Sequence, residues 1–240
     1  MMRPVHMVRA LTAMTGREVI RFAHQRGRLL SAIVRPTLWL VVFAAGFQNV
    51  LADARAKFCF GSVFFEGIII HGMFPYVALL LLASGQTHSS YAGIVIAAFG
   101  FGGIVFSLAL PFLVVHLTER HLMLLGAAGA ALAFVLIALN MVWYVQAAVF
   151  VLFGIGFYML HNCIQVHVTD LSQTARGTAL SMHSSAFFSG QAIGPIYYGF
   201  SFDHFGTHLP PLLGAAVIIA VGLVCARFLR HHRQLDPGGA

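Results

Sequence analysis

Glu66 is a carboxylate inside a long apolar stretch, residues 58–83, that contains no Asp, Lys or Arg. A carboxylate in hydrocarbon is costly unless it faces water, a partner group or a path for protons. A proton-binding or solute-binding group at Glu66 is therefore the first functional hypothesis. The alternative is a structural carboxylate that is hydrogen-bonded or kept neutral by desolvation. His71 is a second candidate, but it lies about 140° around the helix from Glu66, so the two side chains need not touch.

Two later apolar runs carry further polar groups that bind solutes or protons if they face a cavity. His161 and Gln165 are an i, i+4 pair on one helix face, and Asn162 lies beside them. These three residues either line a cavity or form the wet cytoplasmic end of their helix, and the second interpretation is preferred. His183 and Gln191 share a face of the next helix. These two residues either line a cavity or pack against another helix, and the sequence leaves both interpretations open.

The sequence predicts neither a metal nor a cofactor. None of the 13 His residues has the spacing of a metal site. His204 and His208 flank a loop glycine without a third ligand nearby, and His231 and His232 form a pair in the tail. No phosphate-binding loop or nucleophile elbow is present, so an enzyme is not expected.

The composition is that of an integral membrane protein. Of 240 residues, 59% are hydrophobic and 9% are charged, whereas a soluble domain carries about 25% charge. The net charge of +7 would suggest nucleic acid in a soluble protein. Here the Arg residues lie at the start of the chain or between apolar runs, which is typical of headgroup contacts and cytoplasmic loops.

Runs of about 20 apolar residues mark helices that span a bilayer. The sequence predicts an all-α polytopic bundle of six such helices, at roughly 58–84, 92–117, 121–140, 143–166, 178–202 and 209–229. If the chain before Phe58 is cytoplasmic, every later Lys and Arg falls on that side and the external loops hold none. This asymmetry predicts that both termini are cytoplasmic.

The segment before the predicted bundle, residues 1–53, is basic and amphipathic and includes a short apolar run at 36–52. If 36–52 spanned the membrane, the orientation of every later loop would invert. Gln48 and Asn49 interrupt the run, so an interfacial or re-entrant segment is preferred over a seventh span.

Small residues and prolines within the predicted spans indicate close packing and kinks. Gly190 and Gly194 form a GxxxG pair, which lets two helix backbones approach closely. Pro75, Pro111 and Pro195 can kink their helices and leave carbonyl groups free to face a cavity.

Residues 54–230 resemble the C-terminal six-helix half of a Major Facilitator Superfamily transporter. Phe65-Glu66-Gly67 with Phe74-Pro75-Tyr76 is similar to the opening span of that half in many bacterial members. The fifth span and its exit carry further matching positions: Arg176, Gly177, Gly190, Gly194, Pro195, Gly199 and Asp203. Glu119-Arg120 is what remains of the usual loop between the second and third spans.

The resemblance implies secondary transport of a small solute, coupled to protons, in a bacterial inner membrane. Because such transporters place substrate between two parallel halves, it also implies a second six-helix bundle, from another copy or a separate chain. The alternative is a non-transporting remnant or an accessory membrane subunit. Residues 231–240 are expected to form a cytoplasmic tail.

Residues 1–52 resemble a different family. Arg17 to Phe22, Gln25-Arg26, Arg35-Pro36 and Leu38 to Leu40 are similar to the leading amphipathic helix and first span of ABC exporter permease subunits. A third interpretation, an ABC-type permease subunit, depends on this segment alone.

Overall fold

A computed structural model describes residues 47–48, 50–86, 88 and 90–229. The chain divides into two units, residues 1–48 and 49–240, and the second contains the helices that follow. The predictions for residues 1–46 and for the 231–240 tail lie outside the described residues. The apolar run at 36–52 is described only near its C-terminal end.

The second unit is built from long helices joined by short turns, and the described residues contain no strand. The all-α prediction is therefore confirmed. The elements are α1 (Ala56–Ile69), a 3-10 helix (His71–Tyr76), α2 (Val77–Ala83), α3 (Ser90–His116), α4 (Glu119–Ile137), α5 (Trp143–Thr169), α6 (Arg176–Phe205) and α7 (Leu209–Phe228).

Five helical segments within the described residues are long and apolar enough to cross a membrane. The first of them combines α1, the 3-10 helix and α2 in one segment, Ala56–Ala83. The remaining long helix, α6, has 30 residues, or about 45 Å of helix, which exceeds the hydrocarbon thickness of about 30 Å. It lies outside the five because it is more polar, and it packs against α1 within the bundle.

Contacts at the helix termini show which ends lie together. Phe58 at the start of α1 stacks on Phe228 at the end of α7, with ring centroids 4.4 Å apart. Glu119 Oε1 at the start of α4 lies 2.7 Å from His167 Nε2 near the end of α5. Because successive long helices alternate in direction, the start of α1, α4 and α6 and the end of α3, α5 and α7 lie at one end of the bundle. All Lys and Arg residues of the described range are at this end, which we call the basic end: Arg55, Lys57, Arg120, Arg176 and Arg227.

Helices α1 and α6 approach each other backbone to backbone through glycines. A Cβ atom on Gly190 would collide with the carbonyl oxygen of Phe64, and one on Gly67 would collide with the carbonyl oxygen of Phe187. Gly72 and Gly194 meet in the same way one turn further along. In a bilayer, where no hydrophobic force drives helices together, small residues of this kind permit close van der Waals packing.

Candidate functional site: the Glu66–His161 pair

Helix α1 turns Glu66 into the bundle. The buried positions of α1 recur every three or four residues, through Cys59, Ser62, Val63 and Glu66. This spacing places them on one helix face, which packs against the other helices. The Glu66 side chain is 0% exposed.

His161 is the hydrogen-bond partner of Glu66. Its Nδ1 atom, on α5, lies 2.7 Å from Oε2 of Glu66, on α1. The imidazole is 15% exposed, so the pair is covered on the glutamate side and reachable on the histidine side. Either Nδ1–H donates to the carboxylate, or the protonated carboxyl group donates to Nδ1. A proton can therefore reside on either partner without a change in the positions of the heavy atoms.

Two further histidines extend this pair. The ring of buried His183, on α6, lies 5.0 Å from the ring of His161. His71, at the start of the 3-10 helix, packs against Phe157 and Phe187, with ring centroids 5.0 Å and 4.9 Å away. Phe157 and Phe187 also contact His161, so the imidazoles of His71 and His161 share a common aromatic pair, and His183 lies against His161.

Several polar atoms of the cluster lack a protein partner. Oε1 of Glu66, Nδ1 of His71 and Nε2 of His183 are buried and make no hydrogen bond to any described residue. Burying a polar group without a hydrogen bond costs about 1–3 kcal/mol, so such atoms normally meet water or a ligand. The cluster therefore has hydrogen-bonding capacity for a proton, a water or a polar group of a solute.

The cluster lies at a consistent depth. Glu66 is about 15 Å from the start of α1, His161 about 12 Å from the end of α5, and His183 about 10 Å from the start of α6. These three helix ends all belong to the basic end. The polar groups thus lie well inside the apolar part of the bundle, reached from three different helices.

The polar side chains of the described residues do not form a metal site. They contain no group of three or more His, Cys, Asp or Glu side chains arranged to hold an ion. The site instead consists of one hydrogen-bonded pair, Glu66 with His161, and the neighbouring rings of His183 and His71.

Comparison with protein families identifies the bundle. A family model described as the Major Facilitator Superfamily matches residues 58–239. The chain belongs to the Major Facilitator Superfamily. This is a family of membrane transporters rather than enzymes, so the predictions of an integral membrane protein and of the transporter class are confirmed. Neither the curated proteins nor the solved structures contain a significant match to the chain. The ABC permease resemblance concerns residues 1–52, which precede the matched range.

The other polar residues predicted from the sequence lie apart from Glu66. Asn162 lines a groove of about 350 Å³ between α3, α4 and α5, together with Glu119 and Val166. Gln165 is exposed near the basic end. Gln191 is half-buried on α6, where its backbone nitrogen faces Gly67 of α1.

The residues that carried the family resemblance are distributed along α6. Arg176 and Gly177 lie in its exposed first turn, where Arg176 donates to Oε1 of Gln173 at 2.6 Å. Gly190 and Gly194 form the crossing with α1. Asp203 is exposed in the last turn of α6.

Two tyrosines link α1 and the 3-10 helix to α6, and sequence reasoning did not single them out. The hydroxyl of Tyr76 donates to the carbonyl oxygen of Pro195 at 2.7 Å and lies against Gly199. In the opposite direction, the buried hydroxyl of Tyr198 donates to the carbonyl oxygen of Ile69 at 2.8 Å. The prolines in these spans did not signal the two contacts, because Pro75 and Pro195 remove the donors to the carbonyl groups of His71 and Gln191, and the tyrosines bind other carbonyl groups.

A second carboxylate–histidine contact lies at the basic end. His167 is fully buried, and its Nε2 atom lies 2.7 Å from Oε1 of Glu119. Glu119 and Arg120, which resemble the family's pattern between the second and third spans, are the first two residues of α4. The contact joins the start of α4 to the end of α5. On α5, His167 follows Cys163 by four residues and His161 by six.

Proposed function

We propose that the protein is a secondary transporter that couples the movement of a small solute to the movement of protons. In this proposal Glu66 and His161 form the proton-binding site. The observation that carries it is a fully buried carboxylate with one oxygen bonded to a histidine and the other without a partner among the described residues.

The physical reason is the cost of charge inside the bundle. A carboxylate at this depth persists only with a partner, a proton or a bound solute. His161 offers the partner, and its partial exposure offers a route by which a proton arrives or leaves. His183 and His71 add donors and acceptors for a polar solute next to the same pair.

We further propose that a second six-helix bundle completes the solute cavity. In this family two parallel halves rock against each other around a site at their interface. The second bundle is another copy of this chain or a separate chain. Crosslinking in native membranes, followed by native gel electrophoresis, tests this part: a strictly monomeric species that transports solute would contradict it.

The orientation follows from charge. Arg55, Lys57, Arg120, Arg176 and Arg227 share one end of the bundle, and cytoplasmic loops carry an excess of Lys and Arg. We therefore propose that the basic end and both termini are cytoplasmic, in a bacterial inner membrane. Accessibility labelling of single cysteines at Asp53 and Gly206 tests this orientation, and an external Asp53 would contradict it.

Transport itself is tested in proteoliposomes that contain a pH-sensitive dye. Sugars, amino acids, carboxylates and organic cations are added singly, and lumenal pH is followed. For the wild-type protein, with its second bundle present, we expect at least one solute class to move protons. Glu66→Gln should abolish that movement, whereas Asp53→Asn, which removes a carboxylate outside the spans, should retain it.

The same assay distinguishes the alternative function. If the wild-type protein inserts normally but moves protons with none of these solutes, the proposal fails and an accessory or remnant role is favoured. If Glu66→Gln still moves protons with solute, the protein transports but Glu66 is not the coupling group.

A further inference from the structure

A groove of about 420 Å³ runs along the outside of the bundle between α1 and α7. Its walls are almost entirely apolar and include Gly61, Phe65, Val217 and Val221. Lys57 lines the same groove at its end. From Phe65 back to Lys57 the groove follows about 12 Å of helix, so it begins at the basic end and extends into the apolar region.

Two cations lie at that end. Lys57 Nζ lies 5.1 Å from the ring centroid of Phe58, and Arg227 Cζ lies 5.8 Å from that of Phe228. Since the two rings stack at 4.4 Å, Lys57 of α1 and Arg227 of α7 lie over neighbouring rings at the basic end, where the groove begins.

Both of these cations are exposed, and the described residues supply neither with a carboxylate partner. Arg55 differs, because its guanidinium is bonded to Oδ2 of Asp53 at 2.7 Å. The positive charge at the groove mouth is therefore not balanced by an acidic side chain from the described part of the chain.

We propose that this groove binds an anionic phospholipid, with an acyl chain between α1 and α7 and the phosphate against Lys57 and Arg227. The selectivity must come from the headgroup, because lipid tails are as apolar as the groove walls and gain little by moving into it. Basic groups near a membrane surface attract anionic headgroups by about 1 kcal/mol each, which corresponds to about fivefold in affinity for each cation.

Gly61 gives access to the tail-binding part without disturbing the fold. A Cβ atom at Gly61 would meet no described heavy atom within 4 Å, so a larger side chain there has room to occupy the groove. Gly100, on α3, is also open around its Cβ position but does not line this groove. Gly100→Phe is thus a matched control for Gly61→Phe.

The test uses the full chain in nanodiscs that contain equal amounts of phosphatidylglycerol and phosphatidylcholine, with retained lipids identified by native mass spectrometry. The wild-type protein should retain phosphatidylglycerol preferentially. Lys57→Gln and Arg227→Gln should each lower that preference about fivefold. Lys57→Arg should keep it, because the charge is preserved.

Gly61→Phe should lower retention of phosphatidylglycerol, and Gly100→Phe should not. Circular-dichroism melting confirms that each variant is folded. Equal retention of the two lipids by the wild-type protein would overturn the proposal, as would glutamine variants with unchanged preference. Loss of oligomers rather than of lipid in Gly61→Phe would also overturn it, since the occupant would then be a second copy of the chain.

Discussion

Glu66 and His161 are 95 residues apart in the chain, yet Oε2 of Glu66 lies 2.7 Å from Nδ1 of His161. The contact joins the first long helical segment of the bundle to α5 through a group that can hold a proton on either side. Because Glu66 is fully buried and His161 is partly exposed, we expect the protonation of the glutamate to depend on the histidine. Stability and proton binding should therefore change together when either residue is replaced.

His161→Gln should destabilise the protein because it weakens the one hydrogen bond that the described structure gives the side chain of Glu66. Disrupting a buried hydrogen bond of this kind costs about 1–3 kcal/mol. The double variant Glu66→Gln/His161→Gln should lose less than the sum of the two single losses, since the pair acts as a unit. Thermal unfolding in detergent measures all three. Strict additivity would mean that the two residues do not interact.

Gly190→Ala should destabilise the α1–α6 crossing. The added Cβ atom would meet the backbone of Phe64 and Ile68, which cannot rotate away as a side chain can. Overpacking of this kind costs about 1–3 kcal/mol. Gly177→Ala is the matched control, because the space around its Cβ position is open and alanine favours helix. Equal melting temperatures for the two variants would contradict the close approach of the backbones.

Tyr198→Phe should leave the carbonyl oxygen of Ile69 without its hydroxyl donor. Tyr198 is fully buried, so water does not replace the bond easily, and the loss should be about 1–3 kcal/mol. Tyr144→Phe serves as the control because Tyr144 is 62% exposed. Thermal unfolding of both variants checks this prediction, and a stable Tyr198→Phe would show that the tyrosine contributes only by packing.

Asp53 should add stability that depends on pH. The hydrogen bonds from Arg55 lower the pKa of the Asp53 carboxyl group below its ordinary value of 3.8. A carboxyl group with a lowered folded-state pKa stabilises above its unfolded pKa, and this contribution disappears as the pH falls through the folded pKa. Both side chains are partly exposed, so the contribution should stay under about 1 kcal/mol.

Asp53→Asn removes that contribution. The variant should melt slightly earlier than the wild type at pH 7. The difference should shrink as the pH falls below 3.8 and vanish below the lowered pKa of the Asp53 carboxyl group, as measured by thermal unfolding over an acid pH series. A difference that persists unchanged in acid would mean that the ion pair with Arg55 is not its source.

The helices were predictable because hydrocarbon thickness sets their length. The predicted run at 143–166 became Trp143–Thr169, and the run at 209–229 became Leu209–Phe228. The interruption of the first span was less visible. Pro75 signals a kink, but only the structure shows a 3-10 helix from His71 to Tyr76.

The site was predictable by residue type but not by pairing. Glu66 stands out in the sequence because a carboxylate is rare in an apolar run. His161 cannot be recognised as its partner in the same way, because spacing rules concern neighbours on one helix. The contact between Glu66 and His161 is set by the crossing of α1 with α5. His161 and Gln165 share an i, i+4 spacing, yet His161 bonds Glu66 and Gln165 is exposed.

Infrared difference spectroscopy of the protein in lipid tests the central claim most directly, because it detects the protonation of a single buried carboxyl group. We expect a band of a protonated carboxylic acid that changes with pH in the wild-type protein and is missing in Glu66→Gln. Asp53→Asn should retain the band, and His161→Gln should shift the pH at which it changes. Identical spectra for the wild type and Glu66→Gln across the pH range would contradict the assignment of Glu66 as the proton-binding group.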